Sequence, residues 1–195
     1  MDRLDRPFFG RDPREVAPDL LGKVLVHDLP DGRRSARIVE VEAYCGPIDP
    51  AAHTYRGRTA RNATMFGPPG LLYVYFSYGV HWCSNVVCGA EDEGVAVLLR
   101  ALAPIEGVEA MHESRGPAAR RSRDLCSGPG KLTQAMGIGK QHDGVDLVGD
   151  GPLWIADDGA PRPDDVVQTT RVGISQAADE PWRWYVAGDP NVSRR

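Results

Sequence analysis

Short apolar runs separated by Gly, Pro and Asp turns divide this chain into brief elements. Asp12-Pro13 supplies the N-cap and first residue of a helix that ends at Leu20-Leu21-Gly22, with Pro18 keeping it short. Lys23 to His27 predicts a strand, Pro30-Asp31-Gly32 a hairpin turn and Arg37 to Tyr44 the returning strand. Strict alternation along that strand points Ile38, Glu40, Glu42 and Tyr44 one way and Arg37, Val39, Val41 and Ala43 the other, so neither face is cleanly polar. After the G-P-P-G that ends at Gly70, Leu71 to Ser77 predicts a strand, Tyr78-Gly79 a hairpin tip and His81 to Val86 the second strand. Val95 to Leu102 is a further apolar run with one charge inside it, Arg100. Ile105 to Glu113 and Lys131 to Met136 predict short helices. Strands are expected around Trp154-Ile155, Arg171-Val172-Gly173 and Trp184-Tyr185-Val186. Antiparallel hairpins with helices between them make the class α+β, and 195 residues without a linker or repeat suit one domain, 1–195.

Charge changes this picture. Lys plus Arg number 23 and Asp plus Glu 27, a net −4, which argues against nucleic acid or anionic membrane held by bulk positive charge. The charge is nevertheless segregated. From residue 50 to 90 there is no acid, while Arg56, Arg58 and Arg61 lie there; Arg115, Arg120, Arg121 and Arg123 follow in a Gly/Pro-broken segment. The acids gather later, from Asp143 through Asp165. Charge runs usually form solvated loops, and that plain reading stands beside a basic interaction face. No run reaches the roughly 18 apolar residues of a membrane span, and the start lacks a signal-peptide stretch, so a cytoplasmic protein without membrane contact is expected. Cys45, Cys83, Cys88 and Cys126 form no C-x-x-C pair and suit small buried hydrophobes. His81, Cys83 and Cys88 match no common zinc spacing, so no metal is expected.

Candidate chemistry concentrates between residues 42 and 100. Glu42, Tyr44 and His53 place a carboxylate, an aromatic and an imidazole on one strand and the loop after it; an ionised carboxylate can activate water. On the residues alone, Glu40 and Glu42 as the wet face of a half-buried strand is the simpler alternative. Tyr73 and Tyr75 suit a core, whereas Tyr78 beside Gly79 at a hairpin tip can insert between stacked bases. Asn85 is either a satisfied strand residue or a pocket group. Arg100 must be exposed or neutralised by a carboxylate or phosphate.

Several blocks together carry a family likeness. E-A-Y-C-G-P-I-D-P-A-A-H (Glu42 to His53), R-N-A-T-M-F-G-P-P-G (Arg61 to Gly70), L-Y-V-Y-F-S-Y-G-V-H-W-C-S-N (Leu72 to Asn85), V-L-L-R-A-L (Val97 to Leu102) and L-C-S-G-P-G-K-L (Leu125 to Leu132) are similar to the alkyladenine, or 3-methyladenine, DNA glycosylases. R-V-G-I-S (Arg171 to Ser175) and P-W-R-W-Y-V (Pro181 to Val186) extend the resemblance over nearly the whole chain. It implies a single mixed domain with a curved antiparallel sheet and a protruding hairpin. It implies a monofunctional, cofactor-free glycosylase that acts as a monomer on double-stranded DNA containing damaged purines, near the nucleoid. Glu42 matches the general base and Arg100 the arginine that holds the attacking water and the nucleotide backbone. Tyr44, His53 and Tyr75 match groups around the flipped base, and Asn85 the residue that crowds the exocyclic amino group of guanine. Tyr78 matches the side chain that fills the gap in the duplex, with Met65 flanking it in the minor groove. Arg56, Arg58, Arg61 and Lys131 are expected on the DNA backbone. Ala52 and Ser84, just before two of these positions, depart from many relatives and bear on base preference. A non-catalytic binder of damaged or single-stranded nucleic acid, and a hydrolase built on a Glu40/Glu42 pair, are the alternatives.

Overall fold

The residues with side-chain caps start the chain's helices as their chemistry dictates. In the computed structural model, which describes residues 1–77 and 79–194, a short strand β1 (Asp2–Arg3) precedes α1 (Arg6–Phe9), capped by the Asp5 carboxylate. The Asp12 carboxylate accepts the Arg14 amide and opens α2 (Pro13–Leu20). The first hairpin follows as β2 (Val24–Leu29) and the long β3 (Gly32–Tyr44), and the second as β4 (Leu71–Ser77) and β5 (His81–Cys88). Then come β6 (Val95–Glu106), α3 (Val108–Arg115), α4 (Pro129–Ala135), β7 (Val145–Asp146), β8 (Leu153–Asp157), β9 (Val166–Thr169) and β10 (Arg183–Val186). All ten strands join one antiparallel sheet in the order β1-β8-β2-β3-β6-β5-β4-β7, and the β9–β10 pair docks separately on β3. Among the described residues no helix is long and apolar enough to cross a membrane.

β3 is the organising strand. Its first half pairs with β2 and its Glu40–Glu42 stretch with β10, while β6 runs along its whole other edge. One sheet face carries the main core: Leu72 and Val74 of β4, Val86 and Cys88 of β5, Val95, Val97 and Leu99 of β6, and Val41 and Ala43 of β3, packed with Val16, Ala17 and Leu20 of α2 and Leu132 and Ala135 of α4. The alternate residues Tyr73, Asn85, Leu98 and Glu42 face the other way. They form one row across the sheet, Tyr73 opposite Asn85, Asn85 opposite Leu98, Leu98 opposite Glu42, and Glu42 opposite Arg183. Residues 12 to 141 positions apart in sequence thus become neighbours through strand register alone.

The expected alternation of β3 is corrected by a double bulge. Ile38 lies opposite Leu102, Glu40 opposite Ala101 and Val41 opposite Leu99, so Val39 and Arg100 are each an extra residue in their strand. The phase shifts there: Ile38 joins Val41 and Ala43 in the core instead of sharing a face with Glu40 and Glu42. Likewise the core face of β6 passes from Leu99 to Leu102, leaving Arg100 free to aim elsewhere.

Other expectations shift in register. Ile105 and Glu106 belong to β6, Glu106 opposite Ser35, and the helix starts only after Gly107. Gly107 has φ +75°, and a Cβ there would lie 2.5 Å from the Arg33 carbonyl oxygen, so the turn requires glycine. Arg171-Val172-Gly173 is a loop, not a strand, while β7 and β9 arise where no strand was expected. The four cysteines are free and buried. Burial pushes the thiols of Cys45 and Cys126 up to about 12.

Candidate active site

A cavity of about 580 Å³ opens on the face carrying the row described above. Its walls come from the ends of several strands and from two loops. Tyr44 of β3, Tyr73 and Tyr75 of β4, Asn85 of β5 and Leu98 and Arg100 of β6 supply the sheet side; His53 and Val172 supply the loops. The size lies in the range of small-molecule pockets.

The aromatic groups form a partial cage. Tyr73 and Tyr75 stack with ring centroids 5.4 Å apart at 24°. His53 meets Tyr75 edge-on at 4.4 Å and 78°, and its Nδ1 lies 3.2 Å from the Tyr73 hydroxyl. Partial burial against these rings, with Arg61 adding repulsion, moves the His53 pKa down from its ordinary value. Burial likewise raises the Tyr73 phenol to about 12. The tyrosine rings therefore present uncharged faces and edges. Asn85 is buried beside them, its amide donating to the Tyr73 carbonyl at 3.3 Å.

Beneath this cage sits a buried charge cluster. Glu42 is wholly buried. Its Oε1 accepts the Val172 amide at 2.7 Å and lies 3.3 Å from Arg100 Nη1; its Oε2 accepts the Tyr44 hydroxyl at 3.0 Å. Tyr44, Arg100 and Val172 all line the cavity, so Glu42 lies one layer behind the wall and its ligands touch both sides. Burial pushes the Glu42 pKa up, and Arg100, the Val172 amide and the Tyr44 hydroxyl only partly offset it. The carboxylate is thus more basic than an ordinary glutamate. Burial works against the charge of Arg100, but Glu42 and Glu40 outweigh it and raise its pKa. The wet-face alternative for Glu40 and Glu42 is corrected here: both are 0% exposed, because the bulge turns Glu40 inward and β10 covers the strand.

The loop that delivers Val172 is clamped by charge. Arg171 and Asp49, both fully buried, pair at 2.5 and 2.8 Å. The Arg171 guanidinium also donates to the Ala43 carbonyl and lies 4.7 Å from the Tyr44 ring centroid. This clamp was missed in the sequence, although Arg171 opens a noticed block, because Asp49 lies 122 positions away.

The remaining candidates fall in different places. Met65, expected to flank the wedge, is 3% exposed; it packs in an apolar cluster with Tyr73, Val87 and Ala96 and lines the cavity. Among the described residues of the hairpin, Phe76 and Val80 are exposed apolar side chains, at 44% and 76%. Tyr78, the expected wedge, lies outside the described residues. Arg61 lines the cavity and donates to the Phe76 carbonyl at 3.0 Å. Arg56 is exposed, Arg58 pairs with Asp92 at 3.2 Å, and the exposed Lys131 reaches Ser127 at 3.2 Å.

Residues 7–190 match a family model described as Methylpurine-DNA glycosylase (MPG). A Burkholderia lata protein is 58% identical over 191 residues, covering 97% of this chain and 90% of the relative. A Methanoculleus marisnigri protein is 52% identical over 195 residues, covering 98% and 99%. A Rhodopseudomonas palustris protein is 53% identical over 190 residues, covering 97% and 90%. All three bear the name "Putative 3-methyladenine DNA glycosylase".

Proposed function

The chain belongs to the methylpurine-DNA glycosylase family, and from that premise we propose that it excises damaged purines, such as 3-methyladenine or hypoxanthine, from duplex DNA with a Glu42-activated water. The observation that carries this reading is the buried Glu42, held by Arg100, Tyr44 and Val172 behind the wall of an aromatic cavity.

The chemistry follows from that arrangement. A purine inside a stacked duplex must be extruded before its glycosidic bond can be reached, at a cost of a few kcal/mol that damage lowers. Tyr78 offsets part of this by filling the gap, and the exposed Val80 and Phe76 rest against the bases around it. The flipped purine enters between His53, Tyr44 and Tyr75, where ring faces attract the cationic charge of an alkylated base. Asn85 crowds the exocyclic amino group that distinguishes guanine.

In the reacting complex, water takes the place on Glu42 Oε2 that the Tyr44 hydroxyl holds here, and Arg100 fixes that water and the nucleotide's phosphate. The water oxygen bonds to the sugar's anomeric carbon as the bond to the purine nitrogen breaks. The bonding pair leaves with the base, and the water's proton passes to Glu42. An N-alkylated cationic purine leaves neutral and needs no acid. No lysine lines the cavity among the described residues, which supports hydrolysis without a Schiff base.

Incubating methylated or hypoxanthine-containing duplex with the protein tests this reading. Free base and abasic sites are expected, with no adduct trapped by borohydride. Tight binding of damaged duplex with no released base would favour the non-catalytic binder.

A further inference from the structure

Glu40 is as buried as Glu42 yet lies off the cavity wall. Its Oε1 accepts from Arg100 Nε at 3.0 Å, Arg183 Nε at 2.8 Å and the Ser193 hydroxyl at 2.9 Å, and its Oε2 accepts the Ser193 amide at 2.6 Å. Arg100 Nη2 donates back to the Ser193 oxygen at 3.3 Å. The segment after β10 is pinned over this cluster, since Arg183 also donates to the Arg194 carbonyl. Two carboxylates and two guanidinium groups balance within it. A buried set of this kind contributes little net stability compared with apolar packing of the same volume, so fold stability alone does not account for it.

We propose that Glu40 and Ser193 are positioning residues for the reaction, gripping the Nε and Nη2 groups of Arg100 so that Nη1 faces Glu42 and the cavity. The inference rests on the assignment of Glu42 as base. Arg100 is the extra residue of its bulge, so the β6 ladder does not fix its side chain; Glu40 and Ser193 supply that constraint. Among the described residues Glu40 holds the Nε edge of Arg100, whereas Glu42 meets the guanidinium at Nη1.

Charge gives the inference a signature beyond geometry. Glu42 feels Glu40 and Tyr44 from its own strand, Arg100 from β6, Tyr75 and Cys83 from β4 and β5, Arg183 opposite it on β10, and Arg171 from the loop. The negative charge of Glu40 raises the Glu42 pKa. Removing Glu40 takes away that small push but also frees Arg100 from its place beside Glu42, and Arg100 lowers the Glu42 pKa more strongly than Glu40 raises it, so the Glu42 titration moves to higher pH.

The test is single-turnover release of 7-methylguanine from a methylated duplex across pH, with duplex affinity and thermal unfolding measured alongside. Glu40→Gln is expected to lower the plateau rate about 10²-fold, as for a misplaced catalytic group, and to move the acid limb to higher pH. Ser193→Ala is expected to cost about tenfold, the worth of one hydrogen bond to a charged network, and Ser193→Thr to restore most of it. Duplex affinity stays within about twofold throughout. If Glu40→Gln does not fold, the Ser193 pair decides. Folded Ser193→Ala and Glu40→Gln with the wild-type rate and acid limb would overturn the inference while leaving the base assignment standing. Rate loss that follows only the unfolded fraction, with no limb shift and no rescue by threonine, would also overturn it. Wild-type release by Glu42→Gln would remove the base assignment, and this inference with it.

Discussion

Within four residues on β3, Arg37 and Glu40 show two uses of an ion pair. Arg37 meets Asp158 at 2.7 Å, with side chains 31% and 19% exposed, and Lys23 with Asp157 and Arg6 with Asp146 repeat the arrangement nearby. Glu40 meets Arg100 and Arg183 with no exposure of its own, and Arg100 continues to Glu42. At the outer sites water screens the charges, and each pair neutralises an acid on the region between residues 143 and 165. At the inner site each charge depends on its partners, because none can be solvated. The outer pairs thus balance acids that do not touch the cavity. The inner charges sum to zero and hold Glu42 in a basic, dry position.

Breaking the inner set should have the largest effect. Arg100→Ala leaves Glu40 and Glu42 without their shared partner, and a loss of about 3–5 kcal/mol of folding stability is expected, read from the urea midpoint. Beside it, Met65→Ala opens a hole in the apolar cluster under the aromatic cage, with an expected loss of about 2–5 kcal/mol. Stability unchanged in Met65→Ala, with weakened DNA binding, would favour the minor-groove role over packing. Tyr44→Phe removes a hydrogen bond that favours ionised Glu42, so the Glu42 pKa rises further. The acid limb of kcat/KM, which reports the free enzyme, should then move to higher pH. A shift to lower pH would mean that the titrating group is not Glu42.

The outer set should give the smallest effect. Arg37 holds the Asp158 pKa down to about 2, so the stability it contributes is full above the ordinary aspartate range and fades as pH falls toward that value. Arg37→Ala is expected to cost less than about 1 kcal/mol near neutrality, with the difference from wild type vanishing at low pH and shrinking in high salt. A loss comparable to that of Arg100→Ala would erase the distinction between the two regions.

The elements were legible where local chemistry decides them. Asp12-Pro13, Pro30-Asp31-Gly32 and the runs from Leu71 and Val95 each name their own turn or strand, and the structure has them there. Arg100 announced itself as a charge inside an apolar run; Arg183, between two tryptophans, carried the same signal without a partner being evident. The double bulge was not legible, because an extra residue in each of two strands depends on their mutual register and leaves the period-two pattern of either one ambiguous. The same holds for Asp49 with Arg171 and for Glu40 with Ser193, pairs brought together over 122 and 153 positions.

The most direct test of the inner cluster as the chemical centre is the single-turnover release of 7-methylguanine by Glu42→Gln, measured with enzyme in excess over a methylated duplex. The variant keeps the shape of the side chain but loses the base, so the rate constant should fall by about 10²–10⁴-fold while the damaged duplex is still bound. Release within a few-fold of wild type, from a variant that is folded and binds normally, would show that Glu42 is not the base and that its burial serves another purpose.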